Sequence, residues 1–94
     1  MNNSIKIDIQ EIIELIKEQE SERTDIIESL NKCKDGYWQG SAYYCFVNST
    51  NANKTGAEWQ YVESIEIEDT VNGDIIIDLL KDGRIGGIEF LRFI

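Results

Sequence analysis

Carboxylates crowd the last third of the chain. Glu58, Glu63, Glu66, Glu68, Asp69, Asp74, Asp78, Asp82 and Glu89 face only two bases in the same stretch, Lys81 and Arg84, for a local charge of −7. Three chemistries use such a set. A divalent-cation site needs several carboxylates converging on one ion at fixed spacing. The DxDxDG pattern of a calcium loop is absent, and the strand face shared by Glu66 and Glu68 is not a coordination shell. A carboxylate pair for glycoside hydrolysis needs a cleft that a chain of 94 residues has little room to build. The third chemistry is an anionic surface for a cationic protein, and it asks only that the acids be held on a rigid element. It suits this pattern best.

The remaining reactive types offer less. Histidine is absent, which removes the commonest acid–base group at neutral pH and the commonest metal ligand. Cys33 and Cys45 therefore have no imidazole to activate them, and they are expected as free thiols in a chain without an export signal. The glycines of GRIGG, residues 83–87, do not form GxGxxG and do not open a helix, so they read as a turn at Gly83 and a bend or bulge at Gly86-Gly87. The apolar parity supports the bend, shifting from odd at Ile85 to even at Ile88 and Phe90. Seven aromatics, Tyr37, Trp38, Tyr43, Tyr44, Phe46, Trp59 and Tyr61, cluster together without the basic groove of a nucleic-acid stacking platform. Core packing accounts for most of them, and an exposed Tyr or Trp beside carboxylates would suit a protein interface.

Composition narrows the classes further. Eighteen Asp and Glu against nine Lys and Arg give a net charge of −9. That opposes binding to nucleic acid or to an anionic membrane, because both need Lys and Arg to replace counterions. The apolar fraction of 41% is that of a globular domain, and one domain is expected at this length. No apolar run approaches a membrane span, and MNNSIKIDIQEI lacks the basic and apolar regions of a signal peptide, so the cytoplasm is the expected compartment.

Two helices come first. Ile9, Ile12, Ile13 and Ile16 form one stripe of a 3.6-residue period from Asp8 to about Glu20, with Glu11, Glu14 and Glu18 on the wet side. Asp8 and Glu11 resemble a capping box. Ile5 and Ile7 either extend the stripe or form a short extended lead-in. Thr24 is expected to cap a second helix through about Lys34, with Ile26, Ile27, Leu30 and Cys33 as its apolar face. Lys32 and Lys34 suit its C-terminal end and Gly36 a left-handed stop. The connection SER allows an αα-hairpin or one bent helix.

After Gly36 the period changes to two. In YWQGSAYYCFVNS, Tyr43, Cys45 and Val47 fall on one face and Tyr44 and Phe46 on the other. NSTNANKTG reads as a polar hairpin tip. In AEWQYVESIEIED, Ile65 and Ile67 point inward and Glu66 and Glu68 outward. Asn72-Gly73 signals a type I′ turn, with positive φ at both residues, and Lys81-Asp82-Gly83 a second hairpin turn. The expected architecture is α+β: two N-terminal helices (residues 1–36) packed on an antiparallel β-meander of about four strands (residues 37–94).

From about Ser41 to Leu91 the pattern resembles the YuzE-like domain of unknown function. SAYYCFV is similar to that family's first strand, a DALYI-type stretch, and VESIEIEDTVNGDIIIDLLKDGRIGGIEFL to its ending. Ile76, Ile77, Asp78, Asp82, Gly83, Arg84, Ile85, Gly87, Ile88, Glu89, Phe90 and Leu91 carry the match. The resemblance implies a compact antiparallel sheet and supplies no catalytic residue. The chain departs from it in its two preceding helices, its long Asn-rich loop and Leu79-Leu80 where acids are usual.

Small size, net charge and the absence of a catalytic constellation lead to one expectation. The chain looks like a small acidic bacterial immunity protein or antitoxin, a non-enzyme that binds a basic toxin 1:1. The toxin expected is a nuclease of a contact-dependent growth inhibition system or a similar one, blocked by carboxylates that imitate phosphates. Glu63, Glu66, Glu68, Asp69, Asp74 and Asp78 are the candidate contacts, with Trp59 and Tyr61 as anchors. No cofactor, metal, membrane or direct nucleic-acid contact is expected. The alternative is a structural or regulatory homodimer that pairs through the final strand, EFLRFI.

Overall fold

The computed structural model describes residues 7–94, so the expectation for Ile5 lies outside the described residues. The architecture is α+β. Two helices, α1 (Ile9–Gln19) and α2 (Thr24–Asn31), precede five strands, β1 (Tyr37–Gln39), β2 (Tyr43–Cys45), β3 (Tyr61–Ile67), β4 (Ile75–Leu80) and β5 (Ile85–Phe90), and a 3₁₀ turn, Leu91–Phe93. No helix among the described residues is long and apolar enough to cross a membrane.

The isoleucine stripe of α1 does what its period requires, burying Ile12, Ile13 and Ile16. The Asp8 carboxylate accepts the Glu11 N–H at 3.1 Å and so satisfies one of the helix's free N-terminal donors. In α2 the cap differs from expectation. Arg23 is the N-cap residue and Thr24 the first helical one, because the Arg23 carbonyl accepts the N–H groups of Ile26 and Ile27. The helix ends at Asn31, before Lys34, and Gly36 is not left-handed. Gly36 is needed for space instead, since a Cβ there would lie 2.1 Å from the Cys45 carbonyl oxygen. The SER connection separates two distinct helices, and Gln10 beside Asn31 shows that they run antiparallel.

The sheet departs from a four-stranded meander. Gly40, at φ 83°, turns the YWQGSAYYCFVNS stretch back on itself, so it forms two short strands, and the sheet has five among the described residues. The order is β1-β2-β5-β4-β3, antiparallel throughout. β5 is therefore paired on both sides, and the edge needed for a homodimer through the final strand does not exist. Among the described residues the edge strands are β1 and β3. NSTNANKTG is likewise not a hairpin tip, because it carries the chain from β2 across the sheet to the far edge. Asn72 does not have the positive φ of a type I′ turn; only Gly73 does, at φ 91°. Residues 68–74 form a longer loop tied to the Asp69 side chain, which accepts the N–H groups of Val71 and Asn72.

The helices cover one face of this sheet. Ile16, Ile26 and Leu30 are fully buried against Ile67, Ile77 and Ile88, each such side chain contributing about 1.5–3 kcal/mol. The bulge at Gly86 keeps Ile85, Ile88 and Phe90 on this one side despite their change of parity. The Ser29 hydroxyl donates to the Gly83 carbonyl, fastening α2 to the β4–β5 turn.

Candidate functional site

The other face of the sheet has no helix over it among the described residues, and its registers align side chains in two rows across all five strands. One row reads Gln39, Tyr43, Glu89, Ile76, Glu66, and the next Tyr37, Cys45, Gly87, Asp78, Ser64. No base stands in either row. Gly87 leaves a gap in the second row, and the Tyr43 ring leans across it, since a Cβ on Gly87 would lie 2.6 Å from three Tyr43 ring and hydroxyl atoms. In that pose Tyr43 donates its hydroxyl hydrogen to Asp78 Oδ2 at 2.6 Å. Ser64 donates to the other oxygen, Oδ1, at 2.6 Å, and the Tyr61 and Ser64 hydroxyls lie 2.7 Å apart. Asp78 is thus the centre of a chain of hydroxyls, held on both oxygens.

One end of the face is closed. Trp59 folds from the crossing loop onto Gly86 and Leu80 and forms a small second core with Val47, its edge close to where a Gly86 Cβ would stand. Loop bonds hold it there: Asn53 N–H donates to the Trp59 carbonyl at 2.8 Å, and Asn53 Oδ1 accepts from the Tyr61 N–H at 2.9 Å. Trp59 is 7% exposed, so it is a core residue and not a docking anchor. Tyr61 is 43% exposed on the open face and keeps the anchor role open to it.

The candidate acids part into three groups. Glu66 and Asp78 share the open face, and Glu89, outside the expected contact set, joins them. Glu63 points to the helix side, where Arg23 donates to both its oxygens, at 2.8 and 3.3 Å. The Val62 bulge lies just before it. Glu68, Asp69 and Asp74 sit at the β3–β4 end. Asp69 is engaged by its own loop, Asp74 Oδ1 accepts the Asp69 N–H at 3.0 Å, and both backbone groups of Glu68 bond to the Gln19 amide. Arg84 pairs with Asp82 and Glu58, both at or below 2.9 Å. No ion pair reaches Glu66, Asp78 or Glu89 among the described residues.

The titrating groups of the face are poor reagents. Burial, and then the Asp78 carboxylate it bonds, push the Tyr43 hydroxyl far above its ordinary pKa, so it stays a donor. Burial also raises the Cys45 thiol, which donates to Gln39 Oε1 at 3.0 Å, and on the helix side it pushes Cys33 up to about 11. No group of three or more His, Cys, Asp or Glu side chains poised to hold a metal occurs among the described residues. What the face offers is one anchored carboxylate, Asp78, the carboxylates of Glu66 and Glu89, hydroxyls and a half-buried Ile76. Ser64, Tyr43 and Glu89 were not singled out by sequence reasoning as contacts, although a glycine inside a strand, here Gly87, signals close approach by a neighbour. No family model matches the chain, and no curated protein or solved structure matches it either, so no functional residue comes to it from a relative.

Proposed function

We propose that this chain is an immunity protein or antitoxin that binds a basic toxin 1:1 in the cytoplasm and blocks it. The toxin in this reading is a nuclease domain of a contact-dependent growth inhibition or similar system. The observation that carries the proposal is the open face itself, where Glu66, Asp78 and Glu89 stand on three adjacent strands without a base in their rows. Glu66 and Glu89 are two strands apart, about 10 Å, on a rigid sheet, a spacing suited to cations lining a groove built for a polyanion. Ile76 lies between them, exposed Tyr37 ends the second row and exposed Tyr61 lies beside it, which gives the face the mixture of apolar centre, aromatic and charge found at protein hot spots. The chain's net charge of −9 steers a cationic partner toward it. Occlusion of the toxin's substrate groove then needs no chemistry from the protein.

The test is to mix the purified protein with the toxin domain encoded by the neighbouring reading frame. A 1:1 complex that stops cleavage of RNA or DNA, and that weakens as salt rises, is the expected result. Absence of any complex at low salt overturns the proposal.

A further inference from the structure

The edge of the sheet at β3 gives this binding protein a second element. β3 is a seven-residue strand whose one strand partner among the described residues is β4. Every second residue of such a strand turns its N–H and C=O outward, a template for another strand. The ends of the template are capped from within the chain. The Tyr61 N–H is held by Asn53 Oδ1, while the Glu68 N–H and C=O are both held by the Gln19 side-chain amide, at 2.8 and 2.6 Å. Between these caps, the outward backbone groups of residues 62–67 have no partner among the described residues. The opposite edge, β1, is only three residues long and offers little to pair with.

Charge decides what such an edge accepts. In the antiparallel registers centred on Glu66 or Ile67, a second copy of β3 would set its Glu66 or Glu68 carboxylate opposite that of Glu66, which disfavours self-pairing there. A strand with Lys or Arg at alternate positions meets the opposite situation. Its basic side chains fall on the open face beside Glu66 and Ser64, and its apolar ones beside Ile65 on the helix side. We infer that β3 takes up an extended basic segment of the partner as a sixth strand, continuing the two open-face rows onto the partner itself. Main-chain bonds would supply the binding, and Glu66 would select the charge. The inference rests on the reading above for the existence of a basic protein partner.

The probe is a capped seven-residue peptide alternating Val and Lys, added to the intact protein at low salt while backbone amide exchange is followed by NMR. Exchange of the outward amides within residues 62–67 is expected to slow tenfold or more at saturation. The same peptide N-methylated at two adjacent central residues keeps its charge but has both backbone edges blocked, and it should lose that protection. A version with Glu in place of Lys should give none. Equal protection by the N-methylated peptide, or no slowing at 62–67 with the Val-Lys peptide, overturns the inference. The two proposals fail separately. A toxin complex that leaves 62–67 exchanging freely sinks strand addition alone, whereas peptide protection without any toxin complex sinks the immunity reading alone.

Discussion

Tyr43 reaches Asp78 only because Gly87 lies between them with no side chain. The hydroxyl closes to 2.6 Å from Oδ2 along a diagonal that a Cβ on Gly87 would block at 2.6 Å. Gly87→Ala should therefore lower stability by about 1–3 kcal/mol through overpacking, read as a fall in the midpoint of urea unfolding. It should also free Asp78 from Tyr43, so hydroxyl-to-carboxylate contacts seen by NMR disappear. An unchanged midpoint would mean the ring does not lie over the glycine.

The acids are unequal in their engagement, and binding should report it. Glu66→Gln and Glu89→Gln remove carboxylates that no base among the described residues neutralises, and each should weaken the toxin complex about tenfold, or about 1.4 kcal/mol. Glu63→Gln alters a carboxylate that Arg23 already holds on the other side of the sheet, and it should change affinity less than about threefold. Calorimetric titration of the three variants distinguishes this ranking from a response to net charge alone, in which all three would lose equally.

Acid should weaken the β3–β4 loop. Backbone N–H groups of Asn72 and Val71 hold the Asp69 carboxyl below its usual range. A depressed folded pKa gives stability that is complete above the unfolded value of roughly 3.9 and is lost as pH falls through the folded one. Asp25 and Asp82, depressed first by hydrogen bonds from Arg23 and Arg84, act in the same direction. Asp69→Asn keeps an acceptor oxygen without the titration, so its unfolding midpoint should decline less than the wild type's between pH 5 and pH 2. Asp69→Ala should cost about 1 kcal/mol already at pH 7.

Neither thiol should react readily in the folded protein. With Cys33 pushed up to about 11 and Cys45 buried, little thiolate is present at pH 8. Alkylation by iodoacetamide should be slower by a factor on the order of 100 than for an unfolded control. Fast labelling of Cys33 would show that the packing around it opens.

Much of the fold is legible in periodicity, and the reasons for the rest are specific. The stripe of Ile12, Ile13 and Ile16 and the alternation at Ile65 and Ile67 report which way side chains face. The parity change at Gly86-Gly87 announces the bulge. The same alternation that sends Ile67 and Ile65 inward sends Glu63 inward, so its separation from Glu66 is readable in retrospect. A period of two says nothing about which strands are neighbours. The insertion of β5 between β2 and β4, and with it the rows that bring Tyr43 to Asp78, depend on pairing across distant sequence. Trp59 is hidden for a similar reason, since its loop returns over Gly86 only after the sheet exists. Thr24 and Arg23 show a local limit: Arg23 becomes the cap residue while its guanidinium reaches Glu63 on another element.

The strand order also sets when the molecule can assemble. β1 with β2, and β3 with β4, are local hairpins or loops that pair without help, but the two pairs meet only through β5, the last strand along the chain and the third in space. Joining β2 to β5 closes a loop of roughly forty residues, an entropic cost of about 3 kcal/mol above the constant term. The β4–β5 hairpin is local, so until then β2 and β5 each carry an open edge, which invites mispairing between molecules. Residues 85–90 therefore behave as a keystone, and the waiting time before they lock into the gap governs how fast, and how cleanly, the protein folds.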